Sequence, residues 1–420
     1  DGSNRLGRAR SARWLPTWNI SASWNVGEAF ESIASICSNL KIRSTYGLTA
    51  TMGPARNALA IFYSAKTFRP LQEDNETHTY IASLENKDLT WEKQYEFNMG
   101  VDAGIANDRL RITADYYIRK GFDLIGLVRT SGVGGENIKY GNYADMKSRG
   151  MEITLQSFNI KGREYAWETG LTFSYNKNEI TGLHSRPRVL DLIAENGGAL
   201  EGFPVRGLFS IPFNGLNDKG FPTYIGKNGE TTVSGIYFQE RQNLSWLKYE
   251  GPIDPKVSGG LNSNLRYKAW SLGLLFTYQW GNVIRLHPEF SYAYTDMNAM
   301  PEEMKNRWIM PGDEAFTDIP VIPTRRQVAT VPGLGIAYNA YNYSTVRTAK
   351  GDFCRLKEVS LSFRMPDKYV KRFGMTSLEF KGVVSNPLLI YSDKKLNGQD
   401  PEFFRSGGVA MPTPKQFTLS

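Results

Sequence analysis

The segment from residue 91 to residue 122, WEKQYEFNMGVDAGIANDRLRITADYYIRKGF, decides the fold because it contains two long alternating strands joined by a tight turn. Its intervening positions are mostly polar or small. Every second position is apolar or aromatic: Phe97, Met99, Val101, Ala103 and Ile105 in the first half, and Leu110, Ile112, Ala114, Tyr116 and Ile118 in the second. The turn is Ala106-Asn107-Asp108. The segment therefore predicts a β-hairpin with one apolar and one polar face.

The length of the hairpin indicates what its apolar face contacts. Each strand has about 14 residues, whereas strands of soluble proteins most often have 5 or 6. A tilted transmembrane strand needs roughly 9 to 11 residues, with apolar side chains toward lipid and polar side chains toward a lumen. The hairpin therefore predicts strands that cross a bilayer.

The same alternation recurs along the chain. It is strongest at residues 14–26, 40–48, 151–156, 167–175, 255–267, 269–283, 354–363, 377–390 and 414–420. An irregular, Gly-rich segment separates the first hairpin from residue 151. The pattern predicts an all-β chain with about 11 strands of a transmembrane antiparallel β-barrel.

Short and long connections alternate between the predicted strands. The long ones are residues 51–90, 181–254 and 284–350, and short helical turns are expected within 27–39, 301–308 and 366–375. Outer-membrane barrels have short periplasmic turns and long external loops. This parity places the long loops outside the cell and the C-terminal end of the chain in the periplasm.

Composition excludes other classes. The chain has 420 residues, of which 41% are hydrophobic, and no apolar run approaches the roughly 18 residues of a spanning helix. The net charge of +8 comes from scattered Lys and Arg residues and predicts no nucleic-acid partner. Cys37 and Cys354 are far apart in sequence and predict neither a disulfide framework nor a metal site.

No residue pattern predicts an enzyme, a metal or a cofactor. His78, His184 and His287 have no metal-ligand spacing, and Gly132, Gly134 and Gly135 precede no helix that would bind phosphate. The carboxylate pairs Glu302-Glu303 and Asp313-Glu314 are sequence neighbours, which does not by itself make an acid and a base. We interpret these residues as parts of solvated loops.

Four aromatic residues of the second long loop are candidates for substrate contact. Tyr and Trp side chains stack on sugar rings, but they also pack loops and partner proteins. The candidates are Tyr224, Tyr237, Phe238 and Trp246.

Several stretches, taken in order, resemble the C-terminal half of a SusC-type (RagA-like) TonB-dependent outer-membrane transporter. They include DGSNRLG with WLPTWNISASW, LENKDLTWEKQYEFNMGVDAGIANDRLRITADYYIRK, NYADMKSRGMEITL, DPKVSGGLNSNLRYKAWSLGLLFTYQWGN, NRWIMPGDE, FCRLKEVSLSF and NGQDPEFF with PTPKQFTLS. Each stretch alone is weak, but their order and spacing together are specific. The resemblance covers essentially the whole chain.

The resemblance implies import of oligosaccharides or oligopeptides through a 22-stranded barrel in a Gram-negative, Bacteroidota-like outer membrane. TonB powers such import, and a SusD-like surface lipoprotein captures the substrate. Residues 1–420 would then be the C-terminal half of the barrel, without the plug domain and the first half. The remaining half would come from the same polypeptide or from a second chain, with outer-membrane lipid around both.

Two other functions stay open from the sequence. One is a SusC-like barrel that acts as a structural scaffold in a larger outer-membrane complex. The other is a surface β-sandwich that binds glycans, which would explain the alternation but neither the strand lengths nor the loop parity.

Overall fold

The computed structural model describes residues 13–29, 37–52, 59–67, 76–86, 88–130, 132, 138–294, 297, 300–402 and 414–420. The strands are β1 Trp18–Asn25, β2 Cys37–Thr51, β3 Ile61–Thr67, β4 Glu76–Ser83, β5 Glu92–Ile105, β6 Leu110–Arg129, β7 Ile138–Lys161, β8 Tyr165–Leu183, β9 Gly207–Ser210, β10 Phe213–Leu216, β11 Pro222–Ile225, β12 Thr231–Thr232, β13 Lys248–Pro252, β14 Val257–Tyr267, β15 Trp270–Trp280, β16 Val283–Arg285, β17 Thr348–Lys350, β18 Phe353–Arg364, β19 Glu379–Tyr391 and β20 Gln416–Leu419.

Helices occupy only connections. The α-helices are α1 Val26–Ala29, α2 Val189–Ile193, α3 Arg325–Thr330, α4 Leu334–Asn342 and α5 Asp367–Val370. The 3-10 helices are Glu302–Asn306, Asp313–Ala315, Thr345–Arg347, Lys371–Phe373 and Lys394–Leu396. Among the described residues, no helix is long and apolar enough to span a membrane.

Eleven strands form one antiparallel sheet whose order follows the chain, β1-β2-β5-β6-β7-β8-β14-β15-β18-β19-β20. This confirms the all-β prediction and the predicted strand number. Such an up-and-down order is typical of membrane barrels, whereas a sandwich packs two sheets joined by Greek-key connections. The order therefore disfavours the glycan-binding sandwich.

The first predicted hairpin has the expected register. Val101 lies opposite Ala114, and Ala103 lies opposite Ile112. The turn residues Ala106, Asn107 and Asp108 all adopt positive φ angles, of 53°, 55° and 61°. Left-handed conformations at the turn let two long strands reverse direction within a few residues.

Register places apolar residues on one face across most of the sheet. One continuous row, from β2 to β19, consists of Leu40, Ala103, Ile112, Leu155, Leu171, Leu261, Phe276, Leu356 and Leu388. The row displaced by one residue lies on the opposite face and consists of Lys41, Asp102, Thr113, Thr154, Thr172, Gly260, Thr277 and Arg355. We call these the apolar row and the polar row.

Two irregular segments of the sequence are strands in the structure. Residues 51–90 contain the separate hairpin β3–β4, in which Phe62 lies opposite Ile81 and Tyr63 lies opposite Tyr80. Because aromatic and aliphatic residues occupy both of its faces, this hairpin has no simple alternation. Residues 51–90 connect β2 to β5, as predicted for a long loop, but the prediction missed the strands within it.

The Gly-rich segment before residue 151 was also wrongly predicted as irregular. β6 continues to Arg129 and β7 begins at Ile138, so the paired region extends well past the predicted ends. The register shifts between Gly121 and Leu124 and again before Ile125. A β-bulge of this kind breaks the two-residue period and bends the strand, which hides the strand from a pattern search.

The two longest connections fold together. Helix α2 and strands β9 to β13 belong to the first, whereas α3, α4 and the 3-10 helices at 302–306 and 313–315 belong to the second. Their side chains share one apolar core, which includes Leu192, Ile211, Phe221, Phe290 and Tyr338. The helical turns predicted within 301–308 and 366–375 are confirmed, and the turn predicted within 27–39 includes part of α1.

Candidate functional site

The polar face of the sheet carries a charged cluster near one edge. Arg43 Nε lies 2.8 Å from Asp102 Oδ2, and Arg43 Nη2 lies 3.2 Å from Asp115. Thr113 Oγ1 donates to Asp102 at 3.0 Å. Gly100 makes room for the cluster, because a Cβ atom there would lie 2.4 Å from Asp115 Oδ1 and 2.8 Å from Arg43 Nη2. The cluster is therefore ion-paired and lies on the polar face of the sheet.

A second ion pair lies on the same face of the sheet. Arg119 Nη2 lies 3.1 Å from Glu96 Oε1, and its guanidinium carbon lies 4.1 Å from the centre of the Tyr117 ring. Tyr117 in turn covers Gly150. Charged groups held by partners on neighbouring strands suit a polar lumen, since an unpaired charge in lipid costs several kcal/mol.

The structure separates the four predicted aromatic residues. Tyr224 is fully buried in the core of the long connections, and its hydroxyl donates to the Ala337 carbonyl at 2.6 Å. Burial raises the pKa of the Tyr224 hydroxyl well above its usual value. A ring enclosed by protein has no face for a sugar, so the suggestion of substrate contact at Tyr224 is corrected.

The other three differ in exposure. Phe238 and Trp246 are half-buried and pack against the core of the long connections, with the Phe238 ring centre 6.3 Å from that of Tyr343. Tyr237 is 67% exposed. Of the four, Tyr237 presents its ring most fully to solvent and remains the strongest candidate for contact with a ligand or partner.

Two buried arginines stabilise the long connections, and one of them, Arg285, joins the second connection to the first. Arg285 donates to the Phe209 carbonyl at 2.6 Å, to Ser210 Oγ at 3.0 Å and to the Ser344 carbonyl at 2.8 Å. Burial lowers the pKa of Arg285 to about 10, so the side chain stays charged at neutral pH. Arg347 Nη1 lies 2.6 Å from Glu303 Oε2. Neither arginine was predicted from the sequence, because their partners are distant along the chain.

A second buried arginine network lies at the start of β18. Arg355 Nη2 is 2.5 Å from Asp400 Oδ1 and 3.1 Å from Glu402 Oε2. Arg355 and Asp400 are both almost fully buried. This network holds the segment after β19 against the sheet.

The carboxylate pairs have structural partners. Glu302 pairs with Lys305 at 2.8 Å, and Asp313 accepts backbone hydrogen bonds from Ile309 and Met310. Glu314 accepts from Trp308 Nε1 at 2.9 Å. These contacts stabilise local turns, which agrees with a structural reading.

No metal-binding group appears in the part of the chain that the structure describes. Among the described His, Cys, Asp and Glu side chains, no group of three could hold a metal ion. His184 donates its backbone N–H to Tyr143, and the His287 carbonyl accepts from Arg347. Of the predicted loop glycines, Gly132 is described, whereas Gly134 and Gly135 lie outside the described residues.

Comparison with known proteins gives the family. The family "TonB dependent receptor-like, beta-barrel" matches residues 1–358. TonB-dependent receptor P3 of Formosa agariphila is 23% identical over 96% of this chain and 39% of its own length. TonB-dependent receptor SusC of Bacteroides thetaiotaomicron is 27% identical over 100% of this chain and 40% of its own length. The chain thus spans about two fifths of these curated relatives.

A solved structure shares the fold. The RagAB peptide transporter superposes with a TM-score of 0.76 at 20% identity, over 98% of this chain and 44% of the other chain. At this identity the likeness concerns the fold alone. Together with the match over residues 1–358, it establishes that the chain belongs to the β-barrel family of TonB-dependent receptors and is SusC-like.

Proposed function

We propose that this chain forms part of an outer-membrane transporter that imports oligosaccharides or oligopeptides with energy delivered by TonB. The observation that carries the proposal is that the apolar row lies on one face of the sheet and the polar row on the opposite face. A sheet with these two faces suits lipid on one side and a wet lumen on the other. The family is one of transporters, not of enzymes.

The proposal includes the rest of the barrel. The terminal strands β1 and β20 each have one strand partner among the described residues. A sheet edge left open in lipid exposes backbone groups at several kcal/mol each, so another part of the protein must cover it. We infer that these 11 strands are the C-terminal half of a 22-stranded barrel, completed by the same polypeptide or a second chain.

The orientation follows from the connection lengths. The long connections would lie outside the cell, and the short turns would lie in the periplasm. Exposed apolar residues of the long connections, such as Phe316 at 91% exposure, suit contact with a SusD-like lipoprotein. TonB would act through residues outside the described sheet.

Transport is tested in cells that carry the complete transporter. Uptake of radiolabelled oligopeptides or oligosaccharides should fall to the background level when TonB is deleted, because the gated barrel has no other energy source. A second deletion strain that also lacks the transporter sets that background. Uptake that is transporter-dependent but unchanged without TonB would contradict the proposal and favour a scaffold or an open pore.

Photo-cross-linking in intact cells tests orientation and partner. A cross-linker at Phe316 or Tyr237 should capture a surface lipoprotein, whereas one at Lys268, in the short turn between β14 and β15, should not. Capture of periplasmic proteins from Phe316 would reverse the topology.

A further inference from the structure

An arginine-lined cavity lies beside the ends of β6 and β7, at the end of the sheet that carries the long connections. Its volume is about 610 Å³. Its walls come from the end of β6, the start of β7 and the connection around α2. A cavity of this volume accommodates a small ligand or a short stretch of peptide.

The cavity is strongly basic. Among the described residues, five arginines and a single carboxylate, that of Asp191, line it: Arg129, Arg186, Arg188, Arg206 and Arg241. Asp191 pairs with Arg188 at 2.7 Å and with Arg129 at 3.3 Å. One carboxylate therefore pairs with two guanidinium groups, and the described lining has an excess of positive charge.

Two of the arginines are available to a ligand. Arg206 pairs with Asp254 at 2.8 Å, but within the described residues neither Arg186 nor Arg241 has a carboxylate at ion-pair distance. Both side chains are exposed. Guanidinium groups bind carboxylates through paired N–H donors, and such charge-assisted hydrogen bonds are the stronger ones in proteins.

Asp191 carries one negative charge, which Arg188 and Arg129 share. Burial raises the pKa of the Asp191 carboxyl, but hydrogen bonds from Arg188 outweigh burial and lower that pKa to about 2. The carboxylate is therefore charged at neutral pH and holds Arg188 in place. Arg188 also donates to Gln239 Oε1 at 2.7 Å, which fixes its direction.

The remaining lining favours a peptide over a sugar. Leu127, Ile138, Leu190 and Val205 provide aliphatic surface next to the guanidinium groups. Sugar sites instead use open aromatic faces. Tyr143 is the one aromatic residue in the described lining, and its ring lies against Gly126, where a Cβ atom would come within 2.6 Å of it.

We propose that this cavity binds acidic oligopeptides, with Arg186 and Arg241 holding substrate carboxylates and the aliphatic residues contacting neighbouring side chains. This inference rests on the proposed import function and narrows its substrate class. Salt should weaken the interaction, because the two free guanidinium groups are exposed to solvent.

Binding by the complete, purified transporter tests the inference. The probe is an octapeptide with four glutamates, compared by calorimetry with the same peptide carrying four glutamines. The variant is Arg186→Gln/Arg241→Gln, and the matched control is Lys371→Gln/Arg372→Gln, which removes two charges from a short turn at the other end of the sheet. We expect the acidic peptide to bind at least about tenfold more weakly to the variant and unchanged to the control.

Other outcomes overturn the inference. Equal binding of both peptides, or an unchanged affinity in the variant, would show that the arginines do not select carboxylates. Preferential binding of a sulfated oligosaccharide, lost in the variant, would replace the peptide by an anionic glycan. The TonB-dependence of uptake is measured separately, so failure here leaves the import proposal standing.

Discussion

Arg355→Met is expected to release the segment that follows β19 from the sheet. The substitution removes the guanidinium group that pairs with Asp400, a carboxylate that is almost fully buried. Removing one partner of a buried ion pair costs about 3–5 kcal/mol, because the remaining charge has lost both water and its partner. The loss should appear as local opening, since Arg355 joins the segment after β19 to the sheet and Asp400 itself lies outside the strand ladder.

Hydrogen exchange of the complete protein in detergent measures that opening. The backbone N–H groups of Leu396, Asn397 and Gln399 donate within the tethered segment, and their protection should fall by about a hundredfold or more in Arg355→Met. The double variant Arg355→Met/Asp400→Leu is the control, because it removes both buried charges and should recover much of the protection. Unchanged protection in the single variant would show that the network does not hold this segment.

Leu155→Arg is expected to destabilise the barrel by about 2–4 kcal/mol, whereas Thr154→Arg should have a much smaller effect. The two residues are neighbours in β7, but Leu155 belongs to the apolar row and Thr154 to the polar row. An arginine on the lipid face near mid-membrane loses its hydration. On the opposite face it stays in contact with water.

Urea unfolding of the complete barrel in lipid vesicles measures both variants. Because the substitutions add the same side chain to the same strand, differences in helix or strand propensity and in size largely cancel. Equal losses at the two positions would mean that the faces are wrongly assigned. A larger loss at Thr154 would invert them.

The strand pattern was predictable where a two-residue period runs unbroken. In β5 every second side chain from Phe97 onward is apolar, and in β15 the same holds except for Leu275, which lies on the opposite face. The sequence alone therefore indicates both strands and their facing. The ends of β6 and β7 were not predictable in this way. The register shift near Gly121 changes which residues face each side, and a period search fails at such a shift.

The candidate sites were harder to predict than the strands. The core of the long connections brings Tyr224 against Ala337, residues more than a hundred positions apart, and no local pattern reports that contact. The arginine cavity likewise joins β6 and β7 to the connection around α2. Arg129 and Asp191 are far apart in sequence, and only the tertiary fold brings them together. In the sequence, the basic residues of this cavity are scattered.

The alternation of lipid-facing and lumen-facing residues along β7 is tested most directly by spin-label accessibility. Nitroxide labels are placed singly at residues 151 to 156 of the complete transporter in vesicles, after replacement of Cys37 and Cys354 by Ala. The account predicts collision with oxygen at 151, 153 and 155 and with a water-soluble nickel chelate at 152, 154 and 156. Accessibility without a two-residue period, or with the opposite phase, would contradict the assignment of these strands to a membrane barrel.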